Sequence, residues 1–527
     1  MSAPDVSVCI PTWQSAEFIE RTLRCAREQT HAAIRILVSV DLGCDGTAEI
    51  CKAVARQDSR IKVIVQSERL GWSQNCNALL DAVETEYFFF YFHDDIIEPG
   101  YVEALRAALL ARPDAGSAQC DVQAFGLRDT FLAGTAYPGP AAERLIQYLV
   151  GPRGYPLRCL TRRMPPQERA GREDPLSDGL RFAAIPGDTF YAAAPYMLAV
   201  AAAGPMLHVA APLYRRWFRP GMMTESWSTT PVDEVVAGLR ESMRLCAAVI
   251  DRALDSAAER ALTGFALTLM IMTQLRGQEL RLRVPALIAP EAISPALGRQ
   301  AVLPEGLESL DPAVQSWILR AQAKLQLIEA RHAREQGDGE TTLQKAALAA
   351  ALDPTSALAQ RLLAHCLLRS GQPLAALVAA HRASLADPAL PGVEALIARC
   401  ATMTSKRAEQ PLARLLPEGR EPAGLEAVLR AEARVHLAAG HAARLREDWQ
   451  GARDKAGLAA ALDPGLAPAQ RLLGNCLVRS GQPQAALVAA HRARLVDQAH
   501  AGVAQLIARC HDHIRRMPRS PRATGGV

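Results

Sequence analysis

No stretch of this 527-residue chain is long, apolar and uncharged enough to read as a membrane span. The longest weakly charged segment, about residues 192–214, is mostly alanine and carries Pro195, Gly204, Pro205, His208 and Pro212. Such a composition reads as buried soluble structure. Charge excess is missing as well: 59 Lys and Arg face 55 Asp and Glu, and basic runs are no longer than short arginine pairs. A polyanion-coating protein is thereby excluded, and no nucleic-acid partner is expected. The twelve cysteines show neither C-x-x-C pairs with zinc-like spacing nor a compact disulfide framework. They read as small buried thiols in a reducing compartment. "MSAPDVSVCIPTW" has no charged leader and only a five-residue apolar run, so no signal peptide is expected. The expected location is cytoplasmic, with peripheral attachment at the inner face of the membrane left open.

Aromatics are scarce too, at 5%, yet "YFFFYF" occupies 87–92 and runs into His93, Asp94 and Asp95. Upstream, short β-like runs alternate with amphipathic helices. "VSVCIP", "IRILVSVD" and "IKVIVQ" are strands, separated by helices over Ala16–Gln29 and Thr47–Arg56; a third helix, Ser73–Val83, precedes "YFFFYF". Continuous apolar strands separated by helices imply an α/β domain with a mostly parallel sheet covered on both faces. Ligands bind such sheets beyond the carboxyl ends of the strands. Thr12, Asp41 and the Asp94–Asp95 pair all follow strand ends.

Strand signals fade beyond about Thr224, and residues 232–332 read as helices. The last third is repetitive: residues 347–400 and 457–510 agree at 39 of 54 positions with an offset of 110. A shorter period of 34 lies inside each copy, carried by Pro354 and Pro388, by Ala346 and Ala380, and by Gly337 and Gly371. Small residues where helices cross, and a proline closing each pair, resemble tetratricopeptide repeats, which usually present a binding surface. Cys366 and Cys400 obey the same period, which favours a packing position over a metal or disulfide pair. The expected layout is a catalytic domain over 1–222, a helical region over 223–322, one repeat block over 323–404, a linker over 405–432 and a second block over 433–527.

Two adjacent acids at a strand end suit a hard divalent cation, which takes carboxylate oxygens and leaves positions open for phosphate. Alone, the pair reads equally as a solvated strand end. Its context is "VSVCIPTWQSAEFIERTLRCAREQT", "ILVSVDLGCDGTAEI", "LGWSQNCNALLDA" and "YFFFYFHDDIIEP", in that order. Together these blocks resemble the family-two glycosyltransferases of the GT-A fold over roughly residues 5–110. The resemblance implies that Ile10, Pro11 and Thr12 lie along a nucleotide, with Asp41 on its nucleobase and Asp94 on its ribose. It also implies that Asp95 holds Mn2+ or Mg2+ against the diphosphate, where the cation steadies the leaving group. Asp45 stands in the same loop as Asp41, where a helix cap is an equally good reading. His93 fills the variable position of the motif. A base for the acceptor hydroxyl is expected at Asp188, in "PGDTFYAAAPYMLAVAAAGPMLHVAAPLYRRWFRPGMMT". Glu168, Glu173, Asp174 and Asp178 compete for that role.

The chain departs from the family pattern in two places. An Arg-Asn pair is replaced by Cys76-Asn77, which loses a cation and leaves Asn77 on the ligand side. A histidine after the Tyr-Arg segment is replaced by Arg219, which would contact phosphate directly. "LYRRWF" is similar to the Q-x-x-R-W motif of processive synthases, but Leu213 stands where the glutamine belongs. The resemblance therefore implies a metal-dependent, inverting, non-processive hexosyl-type transferase. A nucleotide sugar, a UDP-sugar first, is the implied donor, and a glycan, lipid-linked or protein hydroxyl the acceptor. A protein partner through the repeats is the further expectation. The rival reading is a degenerate transferase that serves as a scaffold. A nucleotidyltransferase would want a glycine-rich basic loop after the first strand, and "PTWQSAEF" has neither feature.

Overall fold

The computed structural model describes residues 3–152, 156–163, 181–184, 190–220, 231–274, 303–405 and 422–516. The chain divides into two compact units: Met1–Thr268 with Leu275–Gly298, and Leu269–Gln274 with Arg299–Val527.

The first unit opens with β1 (Val6–Thr12), α1 (Ile19–Arg27), β2 (Ile34–Val40), α2 (Thr47–Ala55), β3 (Ile61–Val65), α3 (Trp72–Asp81) and β4 (Tyr87–Phe90). β1 lies between β2 and β4 and pairs with both in parallel, and β2 pairs in parallel with β3. All four β4 residues are buried, so neither face of this strand needs polar alternation.

Beyond β4 the sheet becomes mixed. β5 (Ile96–Ile97), β6 (Ser117–Gly126), β7 (Thr130–Leu132), β8 (Leu160–Arg162) and β9 (Met206–Phe218) complete it, in the order β3-β2-β1-β4-β8-β6-β9-β5, with β7 on β6. β8 runs antiparallel to β4 and β6, β5 antiparallel to β9, and β6 parallel to β9. The β9 end matters most, because Tyr214 and Arg215 pair with Ile97 and Ile96, next to Asp94 and Asp95. The helices α4 (Tyr101–Ala111), α5 (Ala141–Val150) and α6 (Ala194–Ala203) pack around this half. The alanine-rich segment is thus a buried helix followed by a strand. Gly204, closing α6, touches Gly116 so closely that a Cβ on Gly116 would fall 2.9 Å from the Gly204 nitrogen. Among the described residues no helix is long and apolar enough to cross a membrane. α7 (Val232–Ala253) belongs to this unit, with Ser242 Oγ donating to the Tyr191 carbonyl at 2.7 Å. α8 (Ala257–Gln274) follows it.

Among the described residues the second unit is helical: α9 (Pro312–Glu335), α10 (Gly339–Leu352), α11 (Ala357–Arg369), α12 (Pro373–Ala386), α13 (Val393–Ser405), α14 (Pro422–Leu445), α15 (Trp449–Leu462), α16 (Ala467–Arg479), α17 (Pro483–Val496) and α18 (Val503–Arg516). The offset of 110 is visible in the structure. Asp338 and Asp448 each cap a helix by accepting from a main-chain N–H three residues on, at 3.0 and 2.8 Å. Ala346, Ala380, Ala456 and Ala490 are all fully buried, where a larger side chain would hold the helices apart. α12 packs on α15, and α17, its counterpart, packs on α10, the counterpart of α15. The duplicated halves therefore close on each other in a reciprocal arrangement. α14 begins inside the stretch that the prolines suggested as a linker.

Candidate functional site

The register sets Thr12 beside Val40 and Cys9 beside Phe90, which brings the ends of β1, β2 and β4 to one edge. Asp41 follows β2 there and is buried. Its carboxylate accepts from the main-chain N–H groups of Leu42 (2.9 Å), Leu70 (2.8 Å) and Gly71 (2.9 Å), and it pairs with Arg69. The Arg69 guanidinium lies 4.0 Å over the Trp13 ring, whose Nε1–H donates to the Leu42 carbonyl at 3.1 Å. Asp41 thus ties two loops together beneath Trp13, which is 40% exposed. Asp45 does what a cap does: it accepts from Thr47 N–H and Ala16 N–H at 3.1 and 2.9 Å. Desolvation works against the Asp45 carboxylate, but these bonds outweigh it and hold the carboxyl below its usual range.

Pro11 and Thr12 reach the same edge through their main chain. The Thr12 carbonyl accepts from Asp41 N–H at 2.9 Å, and the Thr12 hydroxyl pairs with Ser15. The Pro11 carbonyl is 3.2 Å from His93 Nδ1, so the imidazole carries its proton on that nitrogen when it donates. His93 also stacks on Phe18 with ring centres 6.3 Å apart. The letter of the motif without a chemical role is a brace between β1 and the turn after β4.

Asp94 and Asp95 have opposite surroundings. Asp95 is 2% exposed, and protein donors take both its oxygens. Oδ2 accepts from Tyr214 OH at 2.7 Å and from Arg158 Nη2 and Nε at 3.2 and 3.3 Å; Oδ1 accepts from Trp217 N–H at 3.1 Å. Burial pushes the Asp95 carboxyl up, and the Arg158 guanidinium opposes that. Asp94 has a side chain 17% exposed, and its Oδ2 meets Arg219 Nε at 3.3 Å. Arg21 donates to the Asp94 carbonyl at 2.9 Å. Arg216 lies within electrostatic reach of both acids, with its pKa pulled down to about 10 by desolvation and by Arg158. Arg21 from α1, Arg216 from β9 and Arg158 from the turn Pro156–Arg158 thus gather around the two acids from three places that the sequence order does not connect.

Asn77 faces protein. Its amide nitrogen donates to the Phe182 carbonyl at 3.0 Å, and its oxygen accepts from Phe182 N–H at 2.9 Å, a two-bond clasp on a segment more than a hundred residues away. Asn75, which the sequence reading passed over, is buried and reaches the carbonyls of Thr12 and Ser39 at 3.4 and 3.1 Å. No spacing rule singles it out. Asp188 and its competitors Glu168, Glu173, Asp174 and Asp178 lie outside the described residues.

Comparison with known proteins bears on the same edge. Residues 7–149 match the profile of glycosyl transferase family 2. The putative glycosyltransferase EpsH of Bacillus subtilis (strain 168) is 32% identical over 105 residues, which are 20% of this chain and 30% of that protein. The glycosyltransferase GlyG of Streptococcus pneumoniae serotype 4 is 28% identical over 100 residues, 19% of this chain and 33% of that one. The chain thus spans about a third of the length of these curated relatives. Among solved structures, TarS residues 1–349 of S. aureus, in complex with UDP-GlcNAc, superposes with a TM-score of 0.43 at 16% identity. That match covers 63% of this chain and 92% of TarS 1–349. The part of the sheet that carries Asp41, Asp94 and Asp95 lies inside the residues, 7–149, that match glycosyl transferase family 2.

Proposed function

We propose that this chain transfers a glycosyl group from a nucleoside-diphosphate sugar, a UDP-sugar first, to an acceptor hydroxyl, non-processively and with inversion at the anomeric carbon. The observation that carries this reading is the shared edge of β1, β2 and β4, where one part-exposed carboxylate, Asp94, stands among Arg21, Arg216 and Arg219. A hard divalent ion asks for one or two carboxylates and takes its remaining ligands from substrate phosphates and water. Asp94 fits that requirement. Asp95 does not, since four donors already occupy its two oxygens. The cation role read onto Asp95 from the motif therefore passes to Asp94, and Asp95 becomes the latch that fixes the β9 end against the Asp94 turn. When bound there, Mn2+ or Mg2+ supplies charge stabilisation to the departing diphosphate.

The remaining residues take the following parts. Pro11 and Thr12 line the nucleotide edge with main chain, and Asp41 shapes the loops beneath Trp13, whose exposed ring offers a face to a nucleobase. Arg219 and Arg216 are the cations available to phosphate oxygens. Asn77 positions the 181–184 segment. Asp188 is the base that accepts the acceptor proton as its oxygen attacks. The repeats recruit the acceptor or a protein partner.

The test is donor turnover. Nucleotide release from UDP-, GDP- and dTDP-sugars is measured with and without Mn2+ or Mg2+, for wild type, Asp94→Asn and Asp188→Asn. Metal-dependent release that both variants lose supports the reading. The Arg219–Asp94 pair favours one rival, a silent site on a scaffold. That rival prevails if no donor is turned over and none raises the melting temperature.

A further inference from the structure

The second unit contains a cluster that the transferase reading does not use. Glu308, His491 and His511 each point a ligand atom into one space, and those atoms all lie within 4.8 Å of one another. They come from distant parts of the unit: Glu308 from the short 3-10 turn Leu307–Ser309 ahead of α9, His491 from α17 and His511 from α18. His491 is 0% exposed, and neither of its ring nitrogens has a hydrogen-bond partner. His511 Nε2 and Glu308 Oε2 are buried and unpartnered as well. A buried imidazole with both nitrogens unsatisfied is costly in a packed helical core, and each such group in a native fold calls for a missing partner.

We infer that Glu308, His491 and His511 form a binding site for one zinc ion, which clasps the start of the helical unit to its last two helices. Two imidazole nitrogens and one carboxylate oxygen are a zinc donor set, leaving the fourth tetrahedral position to water. Zinc holds such ligands at about 2.0–2.2 Å, so the three atoms would close to roughly 3.4 Å apart, a rotamer-scale adjustment. Burial disfavours the charged form of both rings, and a metal takes the neutral imidazole. His511 Nδ1 lies 4.0 Å from Glu305, and Nε2 is the nitrogen left to a metal. Arg515 pairs with Glu305 at 2.6 Å instead of Glu308, and Arg494 donates to the Glu308 main-chain carbonyl at 3.1 Å.

The duplication supplies an internal comparison. With the offset of 110, His381 occupies the slot of His491, so one histidine there is common to both copies. The slot of His511 is Ala401 in the first copy. The helix pair folds with an alanine at that position in the first copy, and the second copy carries a further ligand-type side chain beside the shared histidine.

The experiment uses the full-length chain, stripped with EDTA and titrated with ZnCl2. Bound zinc is read by elemental analysis after gel filtration, affinity by calorimetry, and unfolding by thermal denaturation. Wild type should retain close to one equivalent and melt at a higher temperature with zinc. His511→Ala, which restores the first copy's residue, and Glu308→Gln should each weaken zinc binding at least about 100-fold and abolish the thermal shift. Their helicity by circular dichroism should be unchanged, which separates loss of the site from loss of the fold. Asp94→Asn should keep its zinc. No retained zinc in wild type overturns the assignment, as does equal retention by wild type and His511→Ala. Loss of zinc in Asp94→Asn instead overturns it too.

Discussion

Arg219 places its Nε 3.3 Å from Asp94 Oδ2 while its guanidinium lies 4.6 Å over the Phe18 ring. Asp94, the part-exposed member of the adjacent pair, thus already has a positive partner. An arginine held by an aromatic face can swing from carboxylate to phosphate without leaving its platform. Removing it should expose Asp94 to metal and deprive the diphosphate of a cation. Arg219→Ala is expected to bind Mn2+ more tightly without donor, by about 1 kcal/mol or roughly fivefold, the upper range for a part-exposed pair. Nucleotide binding should weaken in the same variant. Calorimetric titration of each ligand checks both signs, and weaker Mn2+ binding would exclude competition between arginine and metal.

Asp95 and Asp94 should separate cleanly in stability. Asp95→Ala leaves Arg158 buried without its counter-ion, and breaking a buried pair from one side costs about 3–5 kcal/mol. It also strands Tyr214 OH and Trp217 N–H. Asp94→Ala removes one part-exposed pair and should cost no more than about 1 kcal/mol. Urea denaturation of the two variants distinguishes them. Equal losses would mean that Asp95 is not the latch.

These contrasts show what could be read from the chain beforehand. β1 to β4 and their helices follow from apolar runs and 3.6-residue spacing, because each element satisfies its pattern locally. β6 and β9 escape such reading: "MLHVAAPLYRRWF" mixes alanines with two adjacent arginines, and its strand state depends on partners far away in sequence. The same distance hides Arg158 and Tyr214 as partners of Asp95. Two neighbouring aspartates look alike in a sequence, and burial gives one four protein donors while it leaves the other part-exposed beside Arg219. The repeat period predicted the buried alanines, and the offset of 110 pairs Arg382 with Arg492, but neither shows that the two halves close reciprocally, since what each arginine meets lies in the other copy.

Cys44 offers a chemical probe of the nucleotide edge. It is the exposed thiol in the Asp41–Asp45 loop, whereas Cys51, Cys120 and Cys246 are buried and pushed up to about 12 by desolvation. Thiolate is the reacting species, so at pH 8 Cys44 should be alkylated well ahead of those three. If nucleotide binds beside Trp13, ligand at ten times its Kd should slow that alkylation roughly tenfold by occupancy. Peptide mass mapping with and without UDP gives the rate, and an unchanged rate at saturating UDP would place the nucleotide elsewhere.

The last prediction concerns the reciprocal closure of the helical unit. Arg382 donates from α12 to the carbonyls of Ala461 and Leu462, the final residues of α15. A guanidinium at a helix C-terminus meets both unpaired carbonyls and the negative end of the helix dipole. Its counterpart Arg492 faces Asp353 just as Arg382 faces Asp463, each acid following the last residue of the opposing helix. Burial disfavours both guanidinium charges, so each side chain is held there by what it meets across the joint. Arg382→Ala should therefore cost about 1–3 kcal/mol, the penalty for leaving buried carbonyls unsatisfied. Arg492→Ala should cost a similar amount if the two joints are equivalent. The double variant tests whether closure is cooperative: thermal unfolding should show a loss smaller than the sum of the singles, because losing either joint already loosens the other. Strict additivity would make the two contacts independent of each other and would remove the argument for a closed unit.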